Sequence, residues 1–300
     1  MGEIFSPGKL MLTSEYFAVD GALVLAVPTK LGQEFFFDEI EESQSIIIWE
    51  AYHQNKLWLT ARIDYKNWEI LDTNLKSSAE FILKVLKNVQ ILSELKFKSN
   101  HSYHLKTNLQ FPSDYGLGSS STLMTNLAEW AEIDPFYLNT ISLGGSGYDI
   151  AVAKAKSAVL FQNKPTIQFQ PILFQPKFAK ELIFIHLNQK QDSREGISLY
   201  KSKVRSQNMI DEFSNLTRKV LKCDDLEIFS QLMTIHERKI ADFIEIPTVK
   251  SIYFNDCPVF VKSLGAWGGD FIMSCKFVGY KDYFWGKGFA TIFDWGDLID

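Results

Sequence analysis

Apolar positions along this chain follow two periods that alternate. Runs in which every second or nearly every residue is apolar, rich in Ile, Val, Phe and Trp, predict strands over residues 23–27, 33–38, 45–49 and 56–65. A helical period predicts a helix over 73–89, with Phe81, Ile82, Val85 and Leu86 on its buried face. Residues 103–107 read as strand again, and Leu123, Met124, Leu127, Trp130 and Ala131 then recur at helical spacing. After Asp149 come a short helix and strands over 158–162 and 166–170. The stretch 169–178 holds Pro171 and Pro176 without a helical period, which places a domain boundary there: 1–172 and 173–300. Beyond it the pattern predicts a strand over 182–187 and helices over 193–222 and 226–243, the second stopped by Pro247. Strands over 259–263 and 271–277 pair across a glycine cluster, and a last short helix and strand finish near Phe293. Strands and helices mixed in two halves make an α+β, two-domain protein.

Composition narrows the function classes. At 300 residues, 46% hydrophobic and 22% charged, the chain can bury one large or two medium cores. A net charge of −5 without a long basic stripe argues against nucleic acid as a partner. No apolar run reaches the ~20 residues that cross a bilayer, and the start lacks the basic-then-apolar pattern of a signal peptide, so no membrane partner is expected. Cys223, Cys257 and Cys275 are scattered, with no CxxC pair, which implies neither a zinc site nor a disulfide framework and suits a cytoplasmic location.

The chemistry concentrates in Gly116-Leu117-Gly118-Ser119-Ser120-Ser121, a small-residue loop that empties into the helix of Leu123 to Ala131. The first turn of a helix carries free N–H groups and the positive end of the dipole, which suits phosphate, and glycines let the backbone approach it. A capping loop alone would use the same residues. The loop is neither the Walker type, since no Lys-Ser or Lys-Thr pair follows the second glycine, nor the dinucleotide fingerprint, whose glycine spacing differs. Three further segments accompany it: Ser6-Pro7-Gly8-Lys9-Leu10 with Ser14-Glu15-Tyr16, Gly144-Gly145-Ser146-Gly147-Tyr148-Asp149-Ile150-Ala151, and Gly265-Ala266-Trp267-Gly268-Gly269-Asp270.

Taken in this order, the segments resemble the motifs of the GHMP kinases, the superfamily of galactokinase, homoserine kinase, mevalonate kinase and phosphomevalonate kinase. "SPGKLMLTSEY" looks like the first motif, "GLGSSST" the second and "GAWGGD" the third, while "GSGYDIA" resembles the segment of the catalytic aspartate in mevalonate-type members. The resemblance spans residues 6 to 270. It implies an N-terminal half like ribosomal protein S5 domain 2 that binds ATP, and a ferredoxin-like C-terminal half. It further implies that Gly116, Leu117, Gly118, Ser119, Ser120 and Ser121 cradle ATP, with Ser120 the magnesium ligand. Asp149 would be the base or orienting group for the acceptor, and Lys9 its cationic partner. Glu15, Tyr16, Gly147, Gly268 and Gly269 would face the substrate. The plain alternatives are an N-cap for Asp149, a solvated strand end for Lys9 and a core position for Tyr16.

Departures from the pattern matter too. Tyr16 stands where mevalonate kinases usually have histidine, Leu138 where they carry a second acidic magnesium ligand, with Glu132 and Asp134 out of register, and Trp267 where a glycine is expected. The expected function is an ATP- and Mg2+-dependent kinase of the mevalonate (isoprenoid) pathway, acting on 5-phosphomevalonate or mevalonate. Another family kinase or decarboxylase, or a degenerate ATP-binding member, is the alternative. The partner is a small mevalonate-type acceptor, and a homodimer is open to it.

Overall fold

The computed structural model describes residues 1–41, 44–189, 193–265 and 270–300, without the side chains of 193–195. Residue contacts divide the chain into two compact units, each discontinuous in sequence: Met1–Gly8, Leu31–Ser113 and Gly118–Lys156 in the first, and Lys9–Lys30, Asp114–Leu117 and Ser157–Asp300 in the second. The class is α+β, as the alternating periods imply.

Strands β1 (Gly2–Met11) and β2 (Val24–Ile40) run through both stretches of sequence. In the first unit, β3 (Ile46–His53), β4 (Lys56–Asp64) and β5 (Glu69–Thr73) follow as antiparallel neighbours. Gln54 and Asn55 join β3 to β4 with φ of 49° and 65°, the left-handed pair that matches the twist of a two-residue hairpin. Helix α1 (Lys76–Leu92) then carries the chain to β6 (Ser102–Leu109), which lies parallel to β3 and antiparallel to β2. The helices α2 (Ser119–Ala131), α3 (Pro135–Ser142) and α4 (Tyr148–Ala155) complete the unit. Ile82, Val85, Leu86 and Val89 of α1 and Met124 and Leu127 of α2 share one core with Trp49, Leu59, Ile63 and Leu105 of the sheet. Burial of such side chains, worth about 1.5–3 kcal/mol each, is what orders these helices.

In the second unit, β7 (Ala158–Gln162) pairs with Val24–Ala26 of β2, and β8 (Gln168–Ile172) pairs with β7. Next come β9 (Leu182–His186), α5 (Ser193–Ser202), α6 (Gln207–Leu221), α7 (Leu226–Ile244), α8 (Val249–Tyr253), β10 (Val261–Leu264), β11 (Phe271–Cys275), α9 (Tyr280–Gly286), β12 (Ile292–Asp294) and α10 (Trp295–Leu298). The strands form an antiparallel sheet ordered β10-β11-β9-β12.

Local departures from the expected elements have local causes. The helix expected over 193–222 is two helices. Ser206 accepts from the Met209 N–H and starts α6, while Arg205 donates to the Lys201 and Lys203 carbonyls at 2.7 Å and closes α5. The helix expected from 73 starts at Lys76, because Glu69–Thr73 is taken by β4 as an edge strand. Helix α3 went unforeseen, although Asp134 caps it through the Tyr137 N–H and Pro135 opens it.

Candidate functional site

Helix α2 begins at Ser119, the first serine of the loop, with Gly118 as its N-cap in the left-handed region at φ 88°. Gly116 lies there too, at φ 65°. A glycine cap has no side chain, so the N-cap itself offers the first amides of α2 no side-chain acceptor. Helix α4 has the same start, on Gly147 at φ 91°. By contrast α3, α6, α7 and α8 are capped by Asp134, Ser206, Asp225 and Thr248. Helices α1, α9 and α10 also lack a capping side chain, but no glycine–serine loop precedes them.

The three serines are not equivalent. Ser121 is buried and its hydroxyl donates to the Gly118 carbonyl at 2.8 Å, bracing the turn. Ser119 is half-buried and Ser120 is exposed. Below them the helix is fixed by polar bonds: Thr122 donates to Gln33 Oε1 at 2.8 Å, and Asn126 to the Gln33 carbonyl at 2.9 Å. Asp149 stands half-buried in the first turn of α4, accepting from the Ile150 N–H at 3.0 Å. Before it, Gly144 and Gly145 have open space where a Cβ would be. Leu138 is a fully buried core residue of α3.

The other expected residues belong to the second unit. Lys9 binds the start of the loop twice: its N–H donates to the Leu117 carbonyl at 2.9 Å and its Nζ to the Gly116 carbonyl at 2.7 Å. Glu15 is 2% exposed and ion-paired with Lys262, Nζ to Oε1 at 2.6 Å. Tyr16 is buried against Tyr200 and Gly196, where a Cβ would overlap its ring. Gly268 and Gly269, with Trp267, lie outside the described residues.

Three groups around Glu15 were not anticipated. Lys262, on β10, is fully buried; Glu237 and His236, on α7, are 2% and 0% exposed. Glu237 accepts from the Ser263 N–H at 3.0 Å and the Ser263 hydroxyl at 2.9 Å, and lies 3.8 Å from Lys262. Burial pushes the Glu237 carboxyl up to about 7 and raises that of Glu15, against the pull of Lys262. Burial, and then Lys262, hold His236 well below its ordinary range. The Ser14 N–H donates to His236 Nε2 at 2.7 Å, which assigns the proton of the neutral ring to Nδ1. Ser14 and Tyr16 both have left-handed φ, 67° and 63°. The strained turn that presents Glu15 is thus held by His236 and Lys262. A lysine next to the apolar run Val259-Phe260-Val261 and a histidine four residues before Ile240 on the buried face of a helix were the signals available for this cluster.

Among the described residues no group of three or more His, Cys, Asp or Glu could hold a metal ion. No described helix is long and apolar enough to cross a membrane.

The fold is that of the GHMP kinases. Among solved structures, the Streptococcus pneumoniae phosphomevalonate kinase in complex with phosphomevalonate and AMPPNP matches over 98% of this chain and 99% of its own, with a TM-score of 0.72 and 15% identity. The Methanococcus jannaschii mevalonate kinase matches over 97% and 96%, with a TM-score of 0.70 and 18% identity. The Lactococcus lactis galactokinase complexed with galactose matches over 95% and 88%, with a TM-score of 0.66 and 13% identity. No protein-family model matches the chain, and no curated protein sequence does.

Proposed function

We propose that the protein is an ATP-dependent phosphotransferase acting on a small hydroxyl- or phosphate-bearing acceptor of the mevalonate type, 5-phosphomevalonate first and mevalonate second. The observation that carries this reading is the start of α2: a glycine cap without a side-chain acceptor, at the end of a glycine–serine loop gripped by a lysine. It is supported by likeness of fold, across nearly the whole chain, to a phosphomevalonate kinase solved with phosphomevalonate and AMPPNP.

Bound ATP supplies the phosphoryl group, and magnesium offsets the charge of its phosphates. In this reading Gly116, Leu117 and Gly118 and the first amides of α2 receive the phosphate oxygens. Ser119 adds a hydroxyl there, Ser120 is the magnesium ligand, and Ser121 shapes the turn. Lys9 fixes the loop through Gly116 and offsets charge on the transferring group. Asp149 orients an acceptor hydroxyl and takes its proton, or orients an acceptor phosphate, which has no proton to give up. The open space at Gly144, with Gly147, admits the acceptor. Glu15 and Tyr16, both buried, act on the substrate side through the turn that they build.

The test is ADP release with ATP, magnesium and each acceptor in turn, beside Asp149→Asn and Lys9→Ala. Turnover on 5-phosphomevalonate or mevalonate is expected, falling by about 10² or more in both variants while their melting temperatures hold. No ADP with either acceptor defeats the reading; stabilisation by ATP and magnesium without ADP would mark a binding protein instead. Release of carbon dioxide would mark a decarboxylase.

A further inference from the structure

Glycine at φ 65° adopts its conformation without strain, but glycine also has many other conformations open to it, so whatever holds Gly116 must come from outside the residue. In the second unit that part is taken by Asp270. Its carboxylate occupies the space beside the Gly116 Cα, where a Cβ on Gly116 would overlap it. Asp270 is 7% exposed and itself left-handed, φ 52°, a conformation that aspartate tolerates better than most residues. Its backbone is tied on both sides: the N–H donates to the Gln189 carbonyl at 3.0 Å, and the carbonyl accepts from the Leu187 N–H at 2.8 Å. The carboxylate therefore sits where backbone hydrogen bonds extend the β9–β11 ladder beyond Phe271 and His186.

The neighbouring residues extend the grip. Phe271 meets the Tyr115 ring edge-on, centroids 5.4 Å apart, and Tyr115 lies over His186 at 4.5 Å. Lys9, in turn, draws the Gly116 carbonyl to its ammonium. A flip of the Gly116 peptide would break that bond.

We propose that Asp270 is a positioning residue, which holds Tyr115–Leu117 and the carbonyl bound by Lys9 in the one conformation that leads the chain into the phosphate-binding start of α2. The proposal rests on the nucleotide-binding reading above for its purpose, but not for its geometry. It assigns Asp270 the shape of its side chain rather than its charge, so asparagine should serve and alanine should not.

Two measurements on the full chain test it. In nucleotide-free protein, Asp270→Ala should speed hydrogen exchange at the amides of Tyr115, Gly116 and Leu117 by about tenfold, with Asp270→Asn close to wild type. With magnesium present, AMPPNP should bind Asp270→Ala about tenfold more weakly and KM for ATP should rise with it, kcat changing less, and Asp270→Asn should restore both. Gly116→Ala is the second variant should Asp270→Ala not fold, because the added methyl contests the same space; it should quicken exchange and weaken AMPPNP alike. Unchanged exchange in Asp270→Ala overturns the proposal. So does an Asp270→Asn protein as weak as Asp270→Ala with a shifted magnesium requirement, which would make the carboxylate a charged ligand. If wild type binds no AMPPNP, the functional reading falls, while the exchange comparison still decides the role of Asp270.

Discussion

A hydroxyl's surroundings determine whether it is spent on the fold or kept for a ligand. Ser120 and Ser121 are adjacent and identical in chemistry, yet the first is exposed and the second is buried and bonded to the Gly118 carbonyl. Substitution should separate them. Ser121→Ala removes a hydrogen bond within the loop, and urea unfolding should show a loss of about 1 kcal/mol. Ser120→Ala touches nothing that holds the fold and should stay within about 0.5 kcal/mol of wild type. Its effect should appear only with the metal: calorimetry with AMPPNP should find weaker binding with magnesium and unchanged binding without it. Equal AMPPNP affinities of wild type and Ser120→Ala with magnesium would remove Ser120 as the ligand. Lys9 makes a similar point, since its position beside the loop is held by its own backbone bond to Leu117 as well as by its ammonium.

At the scale of elements, β10 carries a charge into the interior. Lys262 sits in a fully buried four-residue strand beside Ser263, between Glu15 and Glu237. A buried ion pair adds little net stability, but removing one partner strands the other. Lys262→Met should therefore cost about 3–5 kcal/mol in urea unfolding, and Lys262→Met with Glu15→Gln should recover a large part of it. Equal loss in the single and double variants would show that the pair is not what Lys262 serves. The strand itself was legible, because apolar runs on either side of a glycine cluster signal a hairpin, and β10 pairs with β11 as expected. The helical periods of α1 and α7 were legible because each buries one face, and that of α2 because its large apolar residues recur at helical spacing, although the helix is buried on nearly every side. Two things were hidden. One was the break between α5 and α6, since periodicity continues across it and only Ser206 and Arg205 mark it. The other was the charged cluster, since Glu15, His236, Glu237 and Lys262 meet only through tertiary structure, from positions up to 247 residues apart. The loop residues of the candidate site could be picked out because glycines and serines before a helix act locally. What their neighbours would be could not.

For the molecule as a whole, two neighbours on α7 make stability depend on pH in opposite directions. Glu237 titrates at about 7 in the fold against 4.5 ordinarily, so the folded chain holds its proton more tightly than the unfolded one. Its contribution is complete below 4.5 and is lost as pH rises through about 7. Glu15, raised for the same reason of burial, acts with the same sign. His236 is shifted the other way, well below 6.5, so its contribution is present above 6.5 and is lost as pH falls below it. Between 4.5 and 6.5 the Glu237 and His236 slopes oppose each other, and wild type should be nearly insensitive to pH through this pair. Glu237→Gln keeps an acceptor for the Ser263 N–H but cannot ionise, which leaves only Glu15 to oppose His236 within this cluster. Its stability relative to wild type should therefore improve from pH 4 to pH 8 by about 3 kcal/mol, at ~1.4 kcal/mol for each unit by which the Glu237 carboxyl is displaced. Urea unfolding of both proteins across that range measures the difference directly. A constant offset between the two curves would mean that Glu237 keeps an ordinary carboxyl, and that the charge of Lys262 is shared evenly between both glutamates rather than given mainly to Glu15.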